Sequence, residues 1–441
     1  MTDVVRHRIS TALFVLLCVV GALSWVAETR GWRNELSNVD RYSEANILRE
    51  VRNFNEQGLT RHLGLGNVLY PGMYPNDGFA RPGEDTTLTL TPDGIYTHYP
   101  PGPEYLLYAA EKLFGSEPVS TLRVVPIAVG WCSLLFLGLA IGRRFGDAIA
   151  WMVLGACAIT PSVVETFTGL HYQGYALALL MLEIGIVMSP GSRVTWFAVL
   201  GFAQGWLSFD YVFLVTFVPL AFEFVLSRVD ADYQPRWRLA AWRVALAGAG
   251  FVAAHMLHFA QVWAYWGSFD AAARDLAGAA THRSGSGLVH GPLEYLLFEI
   301  GLLKLYYLGL HPVNLSLSLP DPGAPENWSM FRFLGLALGP WWALVTVSML
   351  IWDRVQPSEA FRAFRMDWHA ICLTALLTSS AWFFVMLDHA GHHRHFLFRH
   401  LFFVFFCIAL FAAVRLHQFV TKITLTDEPL PRHSVFPVSD S

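Results

Sequence analysis

Two acidic residues near the start of the chain have a spacing that suits acid–base chemistry. Asp40 and Glu44 lie four residues apart in VDRYSEANILREV, so a helix would place both carboxylates on one face. Paired carboxylates can raise the pKa of one member or hold a divalent cation. Asp40 is therefore a candidate general base and metal ligand, and Glu44 a candidate substrate contact. An N-cap role, accepting backbone N–H groups at the helix start, also accounts for Asp40.

Further acidic residues interrupt apolar stretches later in the chain. Glu165 lies in TPSVVETFTGLHYQGYA, which we interpret as a short external turn, and His171 follows it. Asp210, in GWLSFDYVFLV, stands between two apolar runs, where an ionised carboxylate is costly and marks either a boundary or a site. Glu165 is a candidate catalytic residue, and His171 and Asp210 are candidate substrate contacts. A solvated loop charge explains Glu165 equally well.

The stretch LDHAGHHRHFLFRH is the part of the chain richest in titratable side chains. Its HxxHH spacing makes His389, His392 and His393 candidate metal ligands. Arg394 and Arg399 are always charged and suit a phosphate group. We expect the two arginines to contact phosphate in preference to a metal site, because external histidines are mostly neutral. A belt that faces lipid headgroups also accounts for this composition.

A proline-rich elbow joins a polar pair to an apolar helix in YTHYPPGPEYLLYAAEKLFG. The Pro-Pro-Gly-Pro run cannot be helical before Pro103, because each proline excludes helical backbone angles for the residue before it. Pro103 itself can begin the helix that follows. The elbow is expected to hold His98 and Tyr99 in a fixed pose at the water–lipid boundary, so both are candidate substrate contacts.

The elements that must position these residues are predicted to be transmembrane helices. The chain has 441 residues, of which 54% are hydrophobic and 15% charged. Apolar runs of about 20 residues, the length of helix that crosses a bilayer, recur along it. We predict an all-α polytopic membrane protein with about ten transmembrane helices, at residues 10–27, 119–142, 147–163, 171–189, 193–209, 210–227, 243–265, 333–352, 367–387 and 396–415.

The charges that flank these spans predict the topology. Arginines gather at alternate ends, which by the positive-inside rule places both termini in the cytoplasm and residues 28–118, 266–332 and 388–395 outside. Residues 1–420 then form a single transmembrane domain, and 421–441 a disordered cytoplasmic tail. We expect the protein in the inner (plasma) membrane of a bacterium. All five cysteines fall within predicted spans, which argues against a disulfide framework or a thiolate metal site.

The external segments are predicted to contain amphipathic helices. Residues 38–59 place Ala45, Leu48, Val51 and, less regularly, Phe54 on one face, as in a helix that lies on the membrane or packs on the spans. TTLTLTPDGIYT alternates like a short strand pair, and residues 293–310 form a second interfacial helix. Two such helices predict a groove for a ligand that is half lipid and half polar. The sequence has no P-loop, dinucleotide fingerprint or basic nucleic-acid face.

In order and topology, residues 10–215 resemble the GT-C superfamily of integral-membrane glycosyltransferases, nearest to the protein mannosyltransferase and aminoarabinose transferase branches. The likeness rests on VDRYSEANILREV and HYPPGPEYLLYAAEKLFG. It implies transfer of a sugar from a polyprenyl-phosphate donor to a glycan, lipid or protein acceptor in the cell envelope. Asp40 matches the family's first-loop acid, and Glu165 the acid between the third and fourth spans. The chain departs from the family where Arg41 follows Asp40 in place of Glu, and where Tyr99 precedes the prolines in place of the frequent Lys.

The implied reaction is chemically consistent with these residues. A lipid phosphate is a good leaving group, so the reaction needs a carboxylate base for the acceptor hydroxyl and cations for the charge growing on phosphate. A single displacement predicts inversion at the anomeric carbon. A divalent metal ion is the one cofactor that the candidate residues suggest, and membrane lipids are expected partners. Two other functions remain open: a transporter of lipid-linked glycan, and a di-iron desaturase or hydroxylase that uses the histidine spacing.

Overall fold

A computed structural model describes twelve main stretches of the chain and a few isolated residues. The stretches are 21–23, 25–26, 41–68, 94–115, 119–159, 161–170, 172–189, 193–207, 212–229, 233–283, 369–371 and 373–374. The isolated residues are 19, 231, 377, 406, 409–410 and 413–414.

Ten helices account for most of the described residues, and the only strand pairing among them is one bridge between Asn67 and Ile95. The helices are α1 (Arg41–Gln57), α2 (Gly102–Phe114), α3 (Val124–Phe145), α4 (Asp147–Ile159), α5 (Pro161–Thr168), α6 (Gln173–Met188), α7 (Thr195–Leu207), α8 (Val212–Val229), α9 (Trp237–Trp266) and α10 (Phe269–Arg283). The helical class is thus confirmed for these residues.

Two stretches of helix in this part of the chain are long and apolar enough to cross a membrane. They are Val119–Phe145, which joins a short 3₁₀ turn to α3, and Trp237–Trp266, while Gln173–Met188 is a shorter apolar helix. At about 1.5 Å per residue, each of the two long stretches exceeds the roughly 30 Å of a bilayer core. The predicted count of ten spans stays a prediction.

The first amphipathic helix packs against the second. Ala45, Leu48 and Val51 of α1 form one buried cluster with Leu107 and Ala110 of α2. The predicted apolar face is therefore confirmed, and it faces protein. Several polar residues of the predicted outer face are buried as well, namely Glu44, Arg49, Glu50 and Asn53. A helix buried on both faces must satisfy these groups within the protein.

A proline break separates α4 from α5. We predicted one span over residues 147–163 followed by a turn, but α4 ends at Ile159 and a new helix begins at Pro161. Proline is well suited to the first position of a helix and disfavours helical angles in the residue before it. The prediction of a turn at Glu165 is therefore wrong: its backbone lies within α5.

The helix after the long α9 was not foreseen. We predicted a span over 243–265, whereas α9 runs for 30 residues and stops at Gly267, whose φ of 65° is left-handed. Glycine adopts this conformation without penalty and commonly ends a helix. After this turn α10 begins at once, with Phe269 packing edge-on against Phe259 and Trp263 of α9. The turn brings α10 back toward the end of α9.

Several predictions lie outside the described residues. They are the span at 333–352, the helix at 293–310, most of the strand pair before residue 94, and the tail at 421–441. The spans at 10–27, 367–387 and 396–415 are described only at short helical pieces and single residues.

Candidate functional site

The elbow before α2 is an ordered segment whose geometry follows from its prolines. Pro101 caps α2 with φ −82° and ψ 36°, and its carbonyl accepts a bond from the Tyr105 N–H at 3.1 Å. The helix begins at Gly102, one residue before the predicted Pro103. Gly102 can enter the helix ahead of a proline because it has no Cβ to clash. A Cβ there would also overlap the backbone carbonyl of Trp206.

Asp275 of α10 accepts hydrogen bonds from three side chains, two of which belong to the elbow. Its Oδ1 lies 3.3 Å from Nε2 of His98, and its Oδ2 accepts the Thr97 hydroxyl and, at 3.1 Å, the indole N–H of Trp266. The His98 and Asp275 side chains are only 7% and 8% exposed. Burial raises the pKa of Asp275, but the bonds from His98, Thr97 and Trp266 outweigh it, so the net pKa is lowered. Asp275 is therefore an ionised anchor for the elbow.

A second histidine holds the same segment from the other side. Nε2 of His258, on α9, lies 2.8 Å from the carbonyl oxygen of Thr97. Because a carbonyl can only accept, His258 must donate from Nε2. His255, three residues earlier on α9, donates Nδ1–H to the Phe251 carbonyl at 3.2 Å within its own helix. His258 thus ties the elbow to α9, and His255 does not.

Tyr99 lies in the middle of an aromatic stack. Its ring is stacked on Tyr96 with centroids 5.6 Å apart, and on Tyr172 with centroids 4.8 Å apart. Parallel rings at these distances are a favourable arrangement. The stack joins the elbow to the residues just after α5, the helix that contains Glu165.

Glu44 forms a buried ion pair with Arg123, at the entrance to α3. The guanidinium binds the carboxylate through two bonds of 2.8 and 2.9 Å, and both side chains are 0% exposed. Arg123 also donates to the Thr168 carbonyl at 2.7 Å, and the Leu170 N–H donates to Glu44 at 2.9 Å. Glu44, a candidate substrate contact, is therefore engaged in joining the start of α1 to the end of α5.

Four of the sequence-predicted residues lie in segments that meet near Thr168, Leu170 and Tyr172. They are Glu44, His98, Tyr99 and Glu165. Glu44 lies one turn after Asp40 in the sequence and binds the backbone of Leu170. Tyr99 stacks on Tyr172. The backbone of Glu165 lies in α5, three residues before the Thr168 carbonyl that Arg123 binds. The described part of the chain thus brings the elbow, the first turn of α1 and the end of α5 together.

The remaining predicted residues lie outside the described part of the chain. They are Asp40, His171, Asp210, His389, His392, His393, Arg394 and Arg399. Asp40 directly precedes α1, which begins at Arg41. Among the residues that the structure describes, no group of three or more His, Cys, Asp or Glu side chains is placed to hold a metal ion.

A buried pair of carboxyl groups, Glu50 and Glu104, was missed by sequence reasoning. Glu50 packs on Gly66, where a Cβ would overlap its carboxyl group. Burial, with the nearby charge of Glu104, raises the pKa of Glu50, and burial raises the pKa of Glu104 to about 8. The Oε2 atom of Glu104 has no hydrogen-bond partner. At neutral pH this pair therefore holds protons that solvated carboxyls would release.

We expect the Glu50–Glu104 pair to make stability fall with rising pH. A raised folded-state pKa gives stability that is complete below the unfolded value near 4.5 and is lost as pH rises through about 8. The slope from one such group is up to about 1.4 kcal/mol per pH unit. Glu104→Gln should make the fall shallower, and Glu50→Gln/Glu104→Gln should remove the pair's contribution. The measurement is the melting temperature in detergent from pH 5 to 9.

A matched control for this prediction is Glu56→Gln on α1, because Glu56 is 46% exposed and pairs with Arg52. That variant should keep the wild-type pH slope. An unchanged slope in Glu104→Gln would contradict the assignment of the titration to this carboxyl.

Two other residues of this region, Asp275 and Arg123, were not predicted from the sequence. Asp275 lies in a predicted external loop in which no pattern distinguishes it. Arg123 had one usable signal, since it is a lone arginine inside the external end of the span predicted at 119–142, where the positive-inside rule disfavours such a charge. Such a charge is expected to have a partner, and Glu44 is that partner.

Comparisons with known proteins give matches to solved structures only. No protein-family model and no curated protein matches the chain. The oligosaccharyltransferase of Archaeoglobus fulgidus in its apo form is 15% identical with a TM-score of 0.48, covering 93% of this chain and 51% of that one. ArnT from Cupriavidus metallidurans bound to undecaprenyl phosphate is 14% identical with a TM-score of 0.44, covering 91% and 77%. Apo ArnT has a TM-score of 0.41.

The chain spans about half the length of the archaeal oligosaccharyltransferase. Both matched proteins are membrane glycosyltransferases of the class that the sequence resembles. At identities of 14–15% and TM-scores below 0.5, this likeness to the GT-C glycosyltransferases carries no conclusion about activity.

Proposed function

We propose that this chain is a glycosyltransferase that moves a sugar from a polyprenyl-phosphate donor to an acceptor on the external face of the membrane. The acceptor is a glycan, lipid or protein of the cell envelope. The inner membrane of a bacterium, with both termini cytoplasmic, is the location that fits this reaction and the charge pattern. A divalent metal ion is the one cofactor proposed, with Asp40, His389, His392 and His393 as its candidate ligands.

The observation that carries the proposal is the convergence of the elbow, the start of α1 and the end of α5. The sequence singled out these three segments independently, on Asp40, on His98 with Tyr99, and on Glu165. Arg123 joins the first turn of α1 to α5, and Tyr99 stacks on Tyr172 beside them. Groups for proton removal and for phosphate binding must lie within reach of one donor molecule, which is what this convergence supports.

The exposed apolar side chains of α2 support a donor with a lipid chain. Glu104, Leu107 and Ala110 point into the protein, whereas Leu113 and Phe114 are 77% and 62% exposed. A short helix with an apolar outer face suits the membrane interface. Its first residue adjoins the elbow that holds His98. A molecule with a phosphate at one end and a long hydrocarbon at the other matches this arrangement, in which the polar elbow lies at the start of α2 and exposed apolar side chains lie at its end.

The proposed step is a single displacement. The acceptor hydroxyl oxygen forms a bond to the anomeric carbon, and the bond from that carbon to the phosphate oxygen breaks. A carboxylate, Asp40 or Glu165, takes the hydroxyl proton. The polyprenyl phosphate leaves with the electron pair, and His98, Arg394, Arg399 or a divalent ion stabilises its charge. The configuration at the anomeric carbon is inverted.

The test is a comparison of glycans and lipid-linked sugars by mass spectrometry in a deletion strain. The strain carries wild type, Asp40→Asn, the control Asp270→Asn, or no copy, with each protein quantified in the membrane. We expect Asp40→Asn and the deletion to lose one sugar from a glycan and to accumulate its prenyl-phosphate donor. Asp270 is exposed on α10, so Asp270→Asn should behave as wild type.

Three outcomes would contradict the proposal or part of it. A wild-type pattern in Asp40→Asn would make Asp40 a helix cap and leave Glu165 as the base. A retained anomeric configuration in the product would exclude a single displacement. No change in any glycan on deletion would overturn the transferase, and stoichiometric iron in the purified protein would then favour an oxygenase that uses His389, His392 and His393.

A further inference from the structure

Leu63, in the loop after α1, adopts a backbone conformation that leucine normally avoids. Its φ of 57° is left-handed, and two further left-handed residues of this loop, Gly58 and Gly64, are glycines. A leucine in this conformation is strained, because its Cβ crowds the following carbonyl oxygen, and it persists only where the surroundings hold it. Its side chain gains little inside the protein, since Leu63 is 45% exposed. The reason for a leucine at this position therefore lies outside the protein interior.

The loop is fixed to α2 and α9 on both sides of its tip. The Leu63 carbonyl accepts a bond of 2.9 Å from Nε2 of Gln261 on α9. The Gly64 carbonyl accepts the hydroxyl of Tyr105, on α2, at 2.8 Å. Leu65 is 0% exposed and packs in one cluster with residues of α9 and α10. These contacts hold the strained backbone in place and keep the exposed Leu63 side chain beside α9.

Gln261 shows the level of this loop relative to the membrane. It lies about 7.5 Å along the helix axis before α9 ends at Trp266. α9 is long and apolar enough to cross a membrane, and its last turn contains Trp263, Tyr265 and Trp266. Tryptophan and tyrosine are enriched at the boundary between hydrocarbon and headgroups. The tip of the loop therefore lies at that boundary.

The side of α9 that contains Gln261 faces lipid. Leu257 lies one turn earlier on the same side of the helix and is 48% exposed. Arg61, two residues before Leu63 in the loop, is exposed as well. A long basic side chain beside an apolar one suits the membrane interface, because the first extends toward lipid phosphates while the second enters the hydrocarbon.

We propose that residues 60–64 form a membrane-interface loop, in which Leu63 inserts into the leaflet where α9 ends and Arg61 lies against the phosphates of its lipids. The partner of this surface is the phospholipid bilayer. The inserted loop also fixes the depth of the elbow, because His258, one turn before Gln261 on α9, binds the Thr97 carbonyl. The inference needs α9 to span a membrane and does not depend on the transferase reaction.

The first test places a photoreactive benzophenone side chain at position 63 of the full-length protein by amber suppression. The protein is reconstituted in nanodiscs of phosphatidylethanolamine and phosphatidylglycerol, illuminated, and digested for mass spectrometry. We expect phospholipid adducts on the peptide that contains position 63. The matched control carries the same group at position 56, where Glu56 of α1 is 46% exposed and pairs with Arg52. No lipid adduct is expected at position 56.

The second test uses the opposite demands of backbone and membrane at Leu63. Asparagine adopts the left-handed conformation more readily than leucine, so Leu63→Asn should relieve strain in a loop that faces water. In an inserted loop the same change places a polar amide at the hydrocarbon boundary, so the loop opens more often. Amide hydrogen exchange in nanodiscs reports this opening, because the Leu63 and Leu65 N–H groups bond to the Thr60 and His62 carbonyls. We expect roughly tenfold faster exchange in Leu63→Asn, and the wild-type rate in Leu63→Met, which keeps an apolar side chain.

Three results would overturn this inference. Lipid adducts that are missing at position 63, or as abundant at position 56, would show that the loop is not inserted. Exchange in Leu63→Asn that is equal to or slower than in wild type would place the tip in water. Adducts between two copies of the chain would make the tip a protein interface instead. None of these results bears on the transferase proposal, whose own test is the loss of a sugar in Asp40→Asn.

Discussion

Replacing Arg123 with methionine lowers the free energy of unfolding by about 3–5 kcal/mol, the usual result of removing one partner from a buried ion pair. The Glu44 carboxylate would lose both of its bonds to the guanidinium while remaining at 0% exposure, and it would keep the bond from the Leu170 N–H. The Thr168 carbonyl would lose its 2.7 Å bond as well. Since these bonds join α1 to α5, we also expect the loss of any activity that needs the two segments together.

The measurement is thermal unfolding of purified protein in detergent, with monodispersity checked by size-exclusion chromatography. The matched control is Arg52→Met, which removes an exposed pair with Glu56 on the same helix as Glu44 and should cost at most about 0.5 kcal/mol. Glu44→Met/Arg123→Met removes both charges and should recover much of the loss, because no buried charge is left without a partner. An Arg123→Met protein as stable as wild type would contradict a structural role for the pair.

Alanine at Gly201 or Gly250 lowers the free energy of unfolding by about 1–3 kcal/mol, although alanine favours helix at both positions. The two glycines lie where α7 crosses α9. A Cβ on Gly201 would overlap the Ala247 carbonyl, and a Cβ on Gly250 would overlap the Ala198 carbonyl. Backbone atoms cannot rotate away as a flexible side chain can, so the two helices must separate. Small residues permit this kind of close helix contact in membranes.

The control variant for this prediction is expected to change the stability in the opposite direction. An added Cβ at Gly155 of α4 would meet nothing within 4 Å. Gly155→Ala should therefore raise stability by about 0.5–1 kcal/mol through helix propensity alone. Melting temperatures of the three variants in one detergent give the comparison. If Gly201→Ala and Gly155→Ala shift the melting temperature in the same direction, the crossing does not depend on glycine.

Local patterns in the sequence were enough to predict the helical class and parts of the candidate site. The apolar positions of α1, the proline elbow and the helices at residues 124–145, 173–188 and 195–207 follow from periodicity, proline stereochemistry and apolar length. These properties depend on neighbouring residues alone, and each is met in the described chain. The predicted roles of Asp40, Glu165 and the histidine cluster stay predictions.

Only the tertiary structure decided which distant residues share hydrogen bonds. Arg123 and Glu44 are 79 positions apart, and His98 and Asp275 are 177 apart, and no local pattern encodes either pairing. The burial of Glu50 and Glu104 depends likewise on how α1 packs on α2, because a carboxyl on an amphipathic helix is expected to face solvent. The sequence by itself determined helices, the elbow and candidate chemistry. Packing decided which charges lost water, and burial is what makes those charges depend on specific partners.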